Sequence, residues 1–140
     1  MRQLLKFLDL SAAQQRRALH AALRVVAFRV GLWVVPYRLL REMVDRVPRR
    51  RRQEGDAASA ETITRYISSI SQFVPSASCL TQALAAQTLL RREGFDPVLQ
   101  FGVARDGQGV FKAHAWVECE GRIVIGEYSH MLPYVQLQPV

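Results

Sequence analysis

Apolar residues recur at three- and four-residue steps through the first two-thirds of the chain and at alternate positions through much of the rest, which predicts helices followed by strands. Ser11 and Gln14 have capping-box spacing and open a long helical pattern. In it Leu19, Leu23, Val26, Val30, Trp33 and Val34 form one stripe, while Arg16, Arg17, His20 and Arg24 occupy much of the other side. The spacing predicts that Leu19, Leu23, Val26 and Val30 are buried, either against the core or against a partner. Residues 21–35 are apolar, but Arg24 and Arg29 interrupt them short of the roughly 20 residues a membrane span needs.

Pro36 can start a second helix with an apolar face of Tyr37, Leu39, Leu40, Met43, Val44 and Val47. A third helix, from about Ser59 to Val74, uses Ile63, Tyr66, Ile67, Ile70 and Phe73, and Pro75 stops it. The fourth runs from about Cys79 to Glu93. Arg91 and Arg92 sit in its last turn, and Gly94 ends it. The pattern then becomes extended: strands over Val98 to Ala104, Val110 to Cys119 and Arg122 to Tyr128, with a short last one around Tyr134 to Leu137. Helices first and an antiparallel meander afterwards make an α+β fold.

The hairpin makes a residue-level prediction. With Glu120 and Gly121 as a two-residue turn, facing positions sum to 241, so His114 faces Glu127, Trp116 faces Ile125 and Glu118 faces Ile123. All six then share one face, and directly opposed Cβ atoms lie roughly 5 Å apart. Glu118 is on the order of 13 Å from His114 along the strand, and Glu120 is in the turn, so Glu127 is the carboxylate placed to hold the imidazole. A single bulge would shift this register.

Composition adds the setting. One domain with an extra arm suits 140 residues at 49% hydrophobic content. Two cysteines, Cys79 and Cys119, are too few for a disulfide framework, and the N-terminus does not read as a cleavable signal, which points to the cytoplasm. The net charge of +7 is uneven: residues 1–53 hold thirteen Lys/Arg against three Asp/Glu, and residues 54–140 hold six against nine. The basic arm is therefore expected to meet something acidic, whether a partner protein, a membrane surface or nucleic acid. The run Arg49 to Arg52, with Gln53, Glu54, Gly55 and Asp56 behind it, reads as an exposed linker between a helical arm (1–55) and a core (56–140). It lacks the interleaved aromatic residues that nucleic-acid binding by base stacking uses.

Cys79 opening a helix and His114 on a later strand are the two halves of a thiol nucleophile and its base. At the first turn of a helix the sulfur meets the positive end of the dipole and unpaired N–H groups, which favour thiolate and also suit an oxyanion. If the apolar face of this helix packs on the sheet face bearing His114, a Cys79–His114–Glu127 relay follows. Cys119 alternates to the opposite face, and a zinc site from Cys79, Cys119, His114 and His130 lacks paired spacing. His20 and His130 read as surface residues, while Gln100 and Tyr66 are further candidates to line the cleft.

The same residues resemble a known family. Cys79-Leu80-x-x-Ala83-Leu84, Leu89-Leu90-Arg91-Arg92-x-Gly94, Phe101-Gly102-Val103, Ala113-His114-Ala115-Trp116-Val117-Glu118 and Gly121 look like the transglutaminase-like cysteine peptidases of lasso-peptide biosynthesis. The motifs cover about residues 76–128. The resemblance implies a transglutaminase/papain-like core, Cys79 as nucleophile, His114 as base and an acid after the second hairpin strand, where the family usually has Asp and this chain has Glu127. It implies cleavage of the precursor's leader peptide without metal or cofactor, a separate leader-recognition protein as partner, and a cyclase as a later player. Two other readings share these residues: acyl transfer to an amine in place of water, and a non-catalytic module that binds through the basic arm.

Overall fold

The computed structural model describes residues 11–49, 60–74, 78–126 and 134–137. The linker run from Arg50 to Asp56, and Glu127 and His130, lie outside the described residues. Ser11 caps α1 (Ala12–Val34): its side chain accepts from the Gln14 N–H while the Gln14 side chain accepts from the Ser11 N–H, the full capping box. After Pro36 as N-cap come α2 (Tyr37–Asp45), then α3 (Ala60–Ser71) and α4 (Cys79–Arg92). Helix α4 stops in a Schellman turn: Phe95 N–H donates to Leu90 O, Gly94 N–H donates to Arg91 O, and Gly94 takes φ +86°.

Four strands follow, β1 (Val98–Arg105), β2 (Phe111–Cys119), β3 (Arg122–Ile125) and β4 (Val135–Leu137). They form one antiparallel sheet in the order β3-β2-β1-β4. The chain is thus α+β, with helices on one face of the sheet. Leu84, Ala86 and Leu90 of α4 lie in one buried cluster with Ile67 of α3, Leu99 of β1 and Ala115, Val117 and Cys119 of β2. Ala21 and Val25 of α1 and Val44 of α2 belong to the same cluster.

Helix α1 reverses the expected face. Ala18, Ala21 and Val25 are its buried residues, and Leu19, Leu23, Val26 and Val30 are exposed, the first two at 65%. The alanines let α1 approach α3 and α4 closely, and that closeness, more than side-chain size, selects the buried face. Trp33, Val34, Leu39 and Met43 are exposed as well. No helix among the described residues is long and apolar enough to cross a membrane. Arg49, first of the arginine run, donates to Asp96 Oδ1 at 2.6 Å.

The hairpin departs from the counted register at one residue. Glu120 and Gly121 both take positive φ, +53° and +75°, the two-residue turn the sequence predicts, and Cys119 faces Arg122 and Glu118 faces Ile123 as counted. Val124 is then an extra residue on β3, so Val117, and not Trp116, faces Ile125. The bulge turns Ile125 onto the helix-facing side, where it is 4% exposed in the core. Burying that side chain stabilises by about 1.5–3 kcal/mol, enough to decide between the registers.

Candidate active site

Cys79 occupies the first position of α4, half-buried against the core and with a free thiol. Ser78 fixes the start of the helix: its Oγ accepts from Thr81 N–H at 3.2 Å and lies 3.1 Å from Thr81 Oγ1. The Cys79 and Leu80 N–H groups belong to the first turn, so neither has an acceptor within the helix. A sulfur there is flanked by backbone donors.

His114 stands on the other side of the sheet. Along β2, Ala115, Val117 and Cys119 point to the helices, so His114, Trp116 and Glu118 alternate to the outer face, and α4 packs on the face opposite the imidazole. This corrects the expectation that the cysteine helix covers the His114 face. Hydrophobic matching explains it: the continuous apolar set of β2 is the odd-numbered one, and α4 follows it. No hydrogen bond joins Cys79 to His114 among the described residues.

What surrounds the imidazole is well defined. His114 Nε2–H donates to Gly126 O at 2.6 Å. A carbonyl only accepts, so Nε2 carries the proton and the lone pair of the neutral ring is at Nδ1. The Trp116 ring stacks beside the imidazole at 6.2 Å between centroids and 20° between planes, and the Tyr134 ring lies at 5.5 Å. Trp116 Nε1–H in turn donates to Glu118 Oε1 at 2.9 Å, so the indole cannot rotate away without losing that bond.

Two glycines make this arrangement possible. On β1, Gly102 faces His114, and a Cβ there would come within 2.9 Å of the Trp116 ring. At Gly126 a Cβ would come 2.7 Å from Ala115 O and 3.0 Å from Trp116 Cα, and φ is +80°. Both glycines let backbone and indole approach closely.

The chain matches the model of the transglutaminase-like superfamily over residues 22–138. It belongs to that superfamily. Its members usually are cysteine-based enzymes, and the matched span includes Cys79, His114 and all four strands. No curated protein and no solved structure matches.

Within this superfamily domain the structure describes Cys79 and His114, on separate layers, and not Glu127. Gln100 faces Trp116 on the outer side of the sheet, while Gly102 is the residue opposite His114. Tyr66 lines a concavity at the far end of α4 from Cys79 and takes no place near the thiol. Sequence reasoning missed the Gly126 carbonyl and Tyr134, and it gave Gly102 only as part of a motif, without its contact to Trp116. A glycine between the hairpin and Glu127 was the readable signal for the first; the contacts of the other two depend on which strand lies beside β1.

Proposed function

We propose that the protein is a cysteine endopeptidase that removes the leader from a ribosomally made lasso-peptide precursor, in the cytoplasm and together with a separate leader-recognition protein. The observation that supports it most is the fixed tautomer of His114: with Nε2–H bound to Gly126 O, Nδ1 is the proton-accepting nitrogen of a superfamily domain whose cysteine opens a capped helix. Because Cys79 and His114 stand on different layers, this reading requires the first turn of α4 and the imidazole to come together when substrate binds, a larger change than the tightening of a hydrogen bond already present.

The chemistry follows from the groups. Cys79 gives its thiol proton to His114, and the sulfur bonds to the scissile carbonyl carbon. The oxyanion is held by first-turn N–H groups, and the C–N bond breaks as His114 returns the proton to the leaving amine. Water then attacks the thioester, giving a proton to His114 and releasing Cys79. In this scheme Gly126 O keeps Nε2–H and the charge of Glu127 stabilises the imidazolium without a ring hydrogen bond, and Glu127→Gln is expected to lower the rate by about tenfold or more with the fold intact. An unchanged rate removes Glu127 from the mechanism.

The decisive experiment incubates purified protein with a precursor peptide and its leader-recognition protein and reads the products by mass spectrometry. Release of leader and free core supports hydrolysis, whereas a core joined to an added amine reveals acyl transfer. The exposed stripe Leu19, Leu23, Val26 and Val30 is proposed as the docking face for the recognition protein, because nothing within the described chain covers it. Amides 19–30 should gain hydrogen-exchange protection on adding that protein; equal protection with and without it removes the docking assignment.

A further inference from the structure

The far end of α4 meets the start of α1 across a concavity of about 350 Å³, whose lining includes Arg16, Arg17, His20, Arg24, Arg92 and Glu93. Arg16, His20 and Arg24 recur at four-residue steps, so they stand in one row, roughly 6 Å apart. Helix α1 contains no acidic residue, and among the described residues Glu93 is the one carboxylate in the lining. Arg24 Nη1 is turned back onto His20 O at 2.9 Å. Burial, and after it the nearby Arg92 charge, holds the Arg24 guanidinium below its ordinary pKa, with Glu93 opposing the shift. Like charges are thus concentrated here against their own repulsion.

We propose that this concavity binds a carboxylate-rich stretch of peptide. Guanidinium groups pair with carboxylates through two parallel N–H···O bonds, and anions brought between Arg24 and Arg92 would offset the repulsion between these two charges. A row spread over about 12 Å of helix suits several anionic groups spaced along a chain better than one compact ion. The site is a full α4 away from Cys79, about 20 Å for its 14 residues. Combined with the reading of Cys79 as nucleophile, on which this one step rests, a substrate held here would need about six extended residues between its acidic stretch and the scissile bond.

The test is fluorescence anisotropy of a labelled oligoglutamate peptide at low salt, with oligoglutamine as the neutral control. Arg24→Gln with Arg92→Gln is expected to weaken oligoglutamate binding at least about tenfold. The pair Arg16→Gln and Arg17→Gln, both at exposed positions, should do the same and guards against misfolding of the first variant. Arg38→Gln with Arg122→Gln removes the same charge from exposed sites elsewhere and should change binding by no more than about twofold. Equal losses in all three variants would mean unspecific attraction and overturn the site. Tighter binding of inorganic tripolyphosphate than of oligoglutamate would overturn the carboxylate assignment. Because binding is read without turnover, and is expected unchanged in Cys79→Ala, its outcome is separate from that of the peptidase reading.

Discussion

Cys79→Ala is expected to lower precursor cleavage by at least about a thousandfold while the protein stays folded. The expectation has two physical parts. Alanine is the best helix former and loses only the sulfur at a half-buried first-turn position, so α4 should keep its cap on Ser78 and its packing on β2. Without the thiol no thioester forms, and positioning alone supplies what rate remains. Product analysis by mass spectrometry, with far-UV circular dichroism as the control for folding, separates the two parts. Wild-type cleavage by a folded Cys79→Ala protein would exclude the thiol as nucleophile.

Gly126→Ala is expected to cost about 2 kcal/mol or more and to lower the melting temperature by roughly 5–10 °C. At φ +80° an L-residue is strained, and the added Cβ would stand 2.7 Å from the Ala115 carbonyl, a backbone atom without room to move. Relief requires the chain after β3 to move away from β2, which takes the Gly126 carbonyl from His114 Nε2. Activity should therefore fall further than the loss of folded protein explains. Nitrogen chemical shifts of the His114 ring report the tautomer directly: a mixture of tautomers in the variant is expected, and an unchanged spectrum together with an unchanged melting temperature would sink the argument.

Local signals were the legible part of this fold. Ser11 with Gln14, Gly94 after α4 and Glu120-Gly121 in the hairpin each act within a few residues, and each is found where its chemistry predicts. Decisions made between distant elements were not legible. The larger aliphatics of α1 formed the more conspicuous stripe, yet Ala18, Ala21 and Val25 are buried because small side chains permit close helix approach. Periodicity marks apolar faces without saying which one a neighbour will cover.

The site divides in the same way. Cys79 at a helix start and His114 on a strand could be read from spacing, and so could the alternation that sets Cys119 opposite His114. The face that α4 covers could not, because it depends on the apolar set of β2 matching a helix far away in the chain. Val124 shows the finer limit. Ile123, Val124 and Ile125 are all strand formers, and the choice of which to leave out of the ladder is made by the core that receives Ile125.

That extra residue on β3 also sets a rule for length variation in this part of the chain. Side chains alternate, so deleting one residue between Gly121 and Ile125 would only take up the bulge and leave Ile125 opposite Val117, whereas inserting one would send Ile125 to solvent and move the Gly126 carbonyl out of reach of His114. Paired changes of two residues would keep the faces but shift the carbonyl along the strand by about 7 Å. Length changes are therefore tolerable in the Asp106–Gly109 turn, which only joins two strands, while the stretch from Arg122 to Ile125 can lose its extra residue but cannot gain another.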